Sequence, residues 1–302
     1  MIPQTYKLGI TASALGADFR QSPRVARTLG FAGLQYDAYS TTFNLPDLPG
    51  SGRREFLRLL SAQDRQLVGL RYDLGAKGLT LGADVDRAID RLDKAFDAAA
   101  SMMAPLVCVD VGPLPAPAIV ARPRPRISPD QAGLLILPSM SSAPPAPAEP
   151  APPPPDPAFV DQLDAALAEI GQRADRYSVV LAIRSDLASF AAIERALKAA
   201  SCPWFGLDLD PASVLRDEWE LDEVFSKFGD WVRHVRGRDA TAGPDRRTRP
   251  AVVGAGNTDW GVLLADLEAC GYHGWITLDP TELTDRIGAA DAGRKRLEAI
   301  GE

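Results

Sequence analysis

Arginine and aspartate residues end several short apolar segments of this chain, where parallel strands would present polar side chains. Arg71 and Asp73 end one segment, Asp110 ends another, and Arg238 ends a third. Guanidinium groups bind phosphates and carboxylates through paired hydrogen bonds, so these arginines predict a site for a small anionic ligand. They could equally neutralise neighbouring aspartates, because ion pairs at strand ends need no ligand. The residue types alone leave both interpretations open.

Two further groups of residues could likewise serve either ligand binding or structure. Asp37, Asp73 and Asp110 each end a predicted strand, where a carboxylate can bind sugar hydroxyls or transfer protons, but also commonly caps a turn. The loop Pro244–Arg249 carries Arg246, Arg247 and Arg249, which either extend the anion site or form a solvated loop. Neither group decides between a functional and a structural role.

Histidine and cysteine usage excludes several chemistries. The chain has two histidines, His234 and His273, which are poorly placed for a Ser-His-Asp or Cys-His nucleophilic set. We expect His234 to be a buried, hydrogen-bonded residue inside the fold. Three widely spaced cysteines lie beside apolar residues and predict buried thiols rather than disulfides or a thiolate metal site: Cys108, Cys202 and Cys270.

Glycines at Gly254 and Gly256 resemble the start of a dinucleotide-binding turn. The third glycine of that motif is absent, and no strand leads tightly into the turn from the start of a fold. We therefore interpret Gly256 as a turn residue and Thr258 or Asp259 as the cap of the following helix.

Apolar segments typical of strands alternate with amphipathic segments along the chain. In Asp84–Met103, for example, Val85, Ile89, Leu92 and Phe96 recur at helical spacing on one face. Eight strands are predicted at Tyr6–Thr11, Gly33–Asp37, Leu67–Asp73, Leu106–Val111, Val179–Arg184, Trp204–Asp210, Trp231–Arg238 and Trp275–Asp279. The predicted helices are Ser22–Leu29, Ser51–Gln63, Asp84–Met103, Ala158–Arg176, Ser189–Ala200, Leu221–Phe228, Asp259–Ala269 and Ala289–Ile300.

Eight strand–helix units in 302 residues favour a closed (β/α)8 TIM barrel, because open doubly wound sheets usually have five or six strands. A single domain over residues 1–302 is therefore expected. Of the 26 prolines, 16 lie between Pro113 and Pro157, a composition that suits neither helix nor central strand. This segment predicts a long loop after the fourth strand, with a short strand at Gly133–Leu137 and an extended surface for a protein partner. The alternative, a linker between two domains, would leave four units on each side.

Composition limits the partners. The formal net charge is −7, which argues against a nucleic-acid surface. Apolar runs are interrupted within about ten residues, whereas a membrane helix needs about twenty. Residues 1–10 lack the pattern of an export signal, so a cytoplasmic location is expected.

The segment from Gly254 to Asp279 resembles the sugar phosphate isomerase/epimerase family, the xylose-isomerase-like barrels. Its G-x-G-x-x-D-W turn and its G-Y-x-G-W entry into the last strand are typical of that family. Gly30–Leu34 resembles the family's second strand, Phe205–Pro211 its sixth, and His234–Asp239 its seventh. The resemblance extends over nearly the whole chain except Pro113–Pro157, and it implies the same barrel.

Members of that family hold a divalent cation at the barrel mouth through Glu, Asp, His and Glu on strands five to eight. Carried over residue by residue, the resemblance places Asp210 on strand six, but Arg184, Arg236 and Asp279 occupy the other three positions. Arginine has no lone pair to donate, so Arg184 and Arg236 would repel a cation. We therefore predict that the metal site is lost and that no cofactor is bound.

Two functions remain open on this reading. The chain could bind or act on a sugar, sugar acid or sugar phosphate. In that case Asp210 and Asp279 would be catalytic, and five residues would bind the ligand: Arg71, Asp110, Arg184, Arg236 and Arg238. It could instead be a non-catalytic barrel that serves as a ligand-binding or protein-interaction module. In that case the two arginines at the former cation site would pair with Asp210 and Asp279.

Overall fold

A closed barrel of eight parallel strands forms the centre of the computed structural model. The structure describes residues 6–16, 18–41, 43–80, 83–114, 156–185, 188–243 and 247–301. Going round the barrel, the strand order is β1-β10-β7-β6-β5-β4-β3-β2. The predicted (β/α)8 fold is confirmed, and β10 is the eighth barrel strand.

The barrel strands are β1 (Lys7–Thr11), β2 (Gly33–Asp37), β3 (Gln66–Asp73), β4 (Leu106–Asp110), β5 (Val180–Arg184), β6 (Phe205–Leu209), β7 (Val232–Gly237) and β10 (Trp275–Leu278). The helices are α1 (Ser22–Thr28), α2 (Gly50–Ser61), α3 (Val85–Ser101), α4 (Pro157–Tyr177), α5 (Phe190–Ala200), α6 (Pro211–Arg216), α7 (Leu221–Phe228), α8 (Trp260–Ala269) and α9 (Arg286–Gly301). Both sets agree with the predicted elements to within a few residues.

Besides two short 3-10 helices, Ala12–Leu15 and Gly229–Trp231, an α-helix and a hairpin were not predicted. A short helix, α6, begins directly after β6 because the Asp210 carboxylate accepts the Ala212 amide and Pro211 occupies the first helical turn. An antiparallel hairpin of β8 (Asp239–Ala242) and β9 (Thr248–Ala251) follows β7. Each strand has only four residues and β9 contains Pro250, so neither gives a clear strand pattern in the sequence.

The barrel strands separate an outer core, between strands and helices, from the inside of the barrel. Their outward faces pack against the helices in one large apolar core that includes Phe31, Phe96 and Trp260. Inside the barrel, a small separate apolar cluster surrounds Cys108 and Ala182. The remaining interior contains hydrogen-bonded polar side chains, which supplies the rigid floor of the mouth.

Parallel register explains why distant residues meet at the mouth. Asp37 lies beside Arg71, and Asp110 lies beside Arg184. Because all eight strands run in the same direction, their carboxyl ends form one rim. Residues that are far apart in sequence therefore converge there.

Most of the proline-rich segment, residues 115–155, lies outside the described residues. This part includes the expected strand Gly133–Leu137 and the predicted protein-binding surface. Among the helices that the structure describes, none is long and apolar enough to cross a lipid bilayer.

Candidate functional site

Arg184 lies at the centre of the barrel mouth, at the end of β5. Its Nη2 donates to Oδ2 of Asp110, and its Nη1 lies 3.1 Å from Oδ2 of Asp210. The Ser213 hydroxyl is 3.3 Å from the same Nη1. Asp110, Arg184 and Asp210 lie at the ends of the neighbouring strands β4, β5 and β6, and Ser213 lies in α6. The guanidinium therefore bridges two carboxylates, including the Asp210 carboxylate predicted as its partner.

Asp210 has a second arginine partner. Nη1 of Arg238 donates to Asp210 Oδ2 at 2.8 Å, while its Nη2 donates to Glu282 at 2.7 Å. Asp210 also caps α6 through Oδ1, so each of its oxygens is engaged. Burial alone would lower the pKa of Arg238, but the charges of Asp210 and Glu282 raise it above its ordinary value.

Arg71 links two carboxylates on the other side of the mouth. Its Nε donates to Asp37 at 2.7 Å and its Nη1 to Asp279 at 2.6 Å. Asp279 additionally accepts the Thr281 hydroxyl at 2.7 Å. Burial would raise the pKa of Asp279, but the charges of Arg71 and Arg236 lower it below its usual value. Asp279 is thus held in its ionised form.

Arg236 differs from its predicted arrangement. It lies one layer deeper than the mouth and binds Asp208, with its Nη2 2.7 Å and its Nε 3.2 Å from Oδ2. Asp279 acts on Arg236 through its charge, and its direct arginine partner is Arg71. The expected Arg236–Asp279 pair is therefore replaced by Arg236–Asp208, because Asp208 faces the same interior from the neighbouring strand.

His234 is fully buried, as expected, and connects this deeper layer. Its Nδ1 lies 2.7 Å from Asp208 Oδ1 and its Nε2 2.8 Å from the Thr277 hydroxyl. Burial would raise the pKa of Asp208, but the charge of Arg236 and the contact with His234 lower it far below its usual value. An ionised carboxylate only accepts hydrogen bonds, so Nδ1 of His234 carries the proton that it donates.

Asp208 was missed by sequence reasoning. The signal was present: in Gly206-Leu207-Asp208-Leu209-Asp210 the aspartates alternate with leucines, so both point into the barrel while the leucines point outward. Asp208 is one layer deeper than Asp210, where a charge requires a partner. Arg236 is that partner.

The described residues at the family's cation positions do not fit a divalent cation. Arg184 and Arg236 place two positive charges where two ligands are required. Among the described residues, four arginines of the mouth and the layer beneath it form ion pairs with six carboxylates. The arginines are Arg71, Arg184, Arg236 and Arg238, and the carboxylates are Asp37, Asp110, Asp208, Asp210, Asp279 and Glu282. The carboxylates that could hold a cation are thus already neutralised in part by guanidinium groups.

A second set of possible metal ligands lies deeper in the barrel. Donor atoms of Cys108, Asp208 and His234 are within 4.8 Å of one another. Both ring nitrogens of His234 and both oxygens of Asp208 already make hydrogen bonds. Burial, together with the nearby charge of Asp208, raises the pKa of the Cys108 thiol, which stays protonated. These contacts define a hydrogen-bonded interior.

The glycine turn after the hairpin encloses a carboxylate of the chain itself. Asp239 accepts the amides of Gly254, Gly256 and Thr258, and also the Trp260 indole at 3.1 Å. A Cβ at Gly256 would lie 2.2 Å from Asp239 Oδ1, so only glycine fits. Asp259 caps α8 through the Val262 amide, as predicted. The turn is therefore structural, with Asp239 in the place that an anion would take.

Other predicted residues are dispersed. Asp73 accepts the Gly75 amide at 2.7 Å, which is a turn cap. Arg249 is exposed on β9 and Arg247 is exposed beside it, whereas Arg246 lies outside the described residues. His273 is exposed in the turn before β10, away from the mouth.

A cleft opens on the β1–β2 side of the mouth, next to the Arg71–Asp37 ion pair. This β1–β2 cleft has a volume of about 320 Å³ and is lined by Ala12, Ser13, Gly16, Phe19, Tyr36, Asp37, Ser40, Thr41, Phe43 and Arg286. These residues follow or end β1 and β2, with Arg286 at the start of α9. It was not predicted, since its aromatic and polar residues are scattered in sequence.

A closed parallel barrel with a polar rim defines the class of this protein. The family model of xylose isomerase-like TIM barrels matches residues 23–300. The chain belongs to this family. No curated protein sequence matches the chain.

Solved structures share the fold at low sequence identity. A xylose isomerase domain protein from Planctomyces limnophilus is 14% identical, with a TM-score of 0.71 over 98% of this chain and 96% of that one. D-psicose 3-epimerase from Clostridium cellulolyticum H10, solved with D-tagatose, is 12% identical with a TM-score of 0.69, covering 98% and 99%. A xylose isomerase-like TIM barrel protein from Mycobacterium smegmatis in complex with magnesium is 14% identical with a TM-score of 0.68, covering 98% and 97%.

Proposed function

We propose that this sugar isomerase/epimerase-like barrel binds a small, polar, anionic carbohydrate-type ligand at its mouth without a divalent cation. The observation that carries the proposal is the position of Arg184, whose guanidinium bridges Asp110 and Asp210. Related folds named for D-psicose epimerisation and 3-DHS dehydration support a polyhydroxylated ligand.

The arginine–aspartate pairs act in this proposal as a rigid floor. Asp210 and Asp279, predicted as catalytic, hold Arg184, Arg238 and Arg71 in place, and their hydrogen bonds leave them poorly disposed to transfer protons. Asp279 cannot serve as a general acid near neutral pH, because its pKa is lowered and it is already ionised. This favours ligand binding over isomerase catalysis.

The proposal is tested by calorimetric titration of the natural protein with Mn²⁺, Mg²⁺ and Zn²⁺. We expect no measurable binding, whereas Arg184→Glu combined with Arg236→His restores the missing ligand types and should gain Mn²⁺ affinity. A matched control, Arg195→Glu with Arg249→His, makes the same substitutions at exposed positions and should gain none. Tight binding of a cation by the natural chain would refute the proposal.

A further inference from the structure

We infer that the β1–β2 cleft is the ligand site, and that its ligand is a monosaccharide-sized polyol carrying a phosphate or carboxylate group bound by Arg286. This inference rests on the proposed function, because it names the part of the mouth where the ligand binds and the side chain that binds its anionic group.

The position and size of the cleft support a small organic ligand. Its volume of about 320 Å³ lies in the range of small-molecule pockets and is far larger than a single ion requires. Its walls follow β1, β2 and β10, which are adjacent in the barrel. Of the ion pairs described above, Arg71–Asp37 borders the cleft through Asp37, and it engages only Oδ1 of that carboxylate.

The apolar part of the lining suits a ring or carbon chain. Phe19 and Phe43 stack with their ring centroids 3.8 Å apart and their planes 9° from parallel. Tyr36, which also lines the cleft, is held by a 2.8 Å hydrogen bond to Ser22. Preformed aromatic walls with few polar groups are typical of ligand pockets.

Two polar side chains in the cleft have hydrogen-bonding capacity left over. Asp37 uses Oδ1 for Arg71, while its Oδ2 has no hydrogen bond among the described residues. Oγ of Ser13 is shielded from water and likewise has no partner among them. A buried hydroxyl without a partner, such as that of Ser13, is rare. Oδ2 of Asp37 can accept a hydrogen bond from a hydroxyl of a polyol in the cleft.

Arg286 provides the positive charge that binds the anionic group of the ligand. It is exposed on the wall of the cleft and forms no ion pair with any described residue. By contrast, Arg71, Arg184 and Arg238 each bind two carboxylates. An anionic group therefore meets a free guanidinium fork at Arg286, whereas at the other arginines it would have to displace a carboxylate.

The experiment is calorimetry and thermal unfolding with four probes: glucose 6-phosphate, glucuronate, glucose and inorganic phosphate, each with a chelator present. We expect at least one of the two anionic sugars to bind more tightly than glucose and than inorganic phosphate. Arg286→Gln should weaken that binding roughly 10- to 100-fold, the effect of one charged hydrogen-bonding contact. Phe43→Leu should weaken it roughly 3- to 10-fold.

Arg249→Gln is the matched control, because Arg249 is also exposed and has no ion pair among the described residues. It should leave binding unchanged, and unliganded Arg286→Gln should unfold at the natural midpoint. Three results would overturn the inference: no binding of either anionic sugar, equal binding of glucose or phosphate, or binding that Arg286→Gln leaves intact. In the last case, loss of binding in Arg184→Gln would place the ligand among the ion pairs and leave the proposed function standing.

Discussion

Charged side chains are ion-paired on one side of the barrel mouth, at β3 to β7, and less so on the other, at β10, β1 and β2. At β3 to β7, every described arginine at the mouth contacts a carboxylate, and the loop after β3 packs on the loop after β4 through the Leu79 amide and the Val111 carbonyl. At β10, β1 and β2, the cleft stays open and Arg286 has no ion pair with a described residue. Paired charges stabilise a structure, whereas an unpaired charge beside an open cleft is free to bind.

Arg184 and Arg236 are the two residues that the sequence resemblance places at metal-ligand positions. Each is held by an aspartate of the neighbouring strand, Asp210 or Asp208.

The largest effect is expected in the deeper layer. Asp208→Asn leaves the buried Arg236 charge without its carboxylate and should lower the free energy of unfolding by about 3–5 kcal/mol. The matched control is Glu169→Gln, which breaks the exposed pair with Arg173 and should cost less than about 1 kcal/mol. Urea unfolding followed by circular dichroism measures both; equal losses would contradict the assigned burial.

A smaller loss is expected at the mouth. Arg184→Met removes the bridge between Asp110 and Asp210, although Asp210 keeps Arg238. The cost should be about 2–3 kcal/mol, the value of a charged hydrogen bond with partial exposure. If urea unfolding shows that Arg184→Met is as stable as the natural protein, the arginine is not a structural replacement for the cation.

A fall in pH should lower the stability that the ion-paired side of the mouth contributes to the fold. The pKa values of Asp208 and Asp279 are lowered in the folded protein although burial opposes this, because Arg236 and Arg71 favour the ionised forms. Their stabilisation is present above the unfolded pKa of about 3.9 and is lost as pH falls below it. The thermal unfolding midpoint should therefore drop as the pH falls below about 4. Asp208→Asn should show a shallower drop; an unchanged slope would exclude Asp208 as a source.

The smallest effect on stability is expected in the cleft. Arg286→Gln changes an exposed side chain without an ion pair among the described residues, so the unfolding free energy should stay within about 0.5 kcal/mol. Thermal unfolding without ligand measures this. A loss comparable to that of Arg184→Met would show that Arg286 is a structural residue and remove the contrast between the two sides.

Much of this architecture could be predicted from local patterns. The alternation of apolar strands and amphipathic helices predicted the barrel, because side-chain period and segment length are local properties. The family resemblance also predicted that Arg184 and Arg236 occupy metal-ligand positions. The α6 helix was missed although Asp210-Pro211 is a recognisable helix start. The hairpin after β7 was missed because Asp239 stabilises its base through residues distant in sequence.

The sequence by itself determined the barrel, and its family resemblance predicted guanidinium groups at positions where a cation would need electron-pair donors. Only the tertiary structure decided which carboxylate each arginine binds: Asp208 for Arg236, and Asp279 for Arg71. It also decided that Phe19, Phe43 and Arg286 share one cleft. The physical reason is that pairing depends on strand register and on depth inside the barrel, and both are set by the closure of all eight strands.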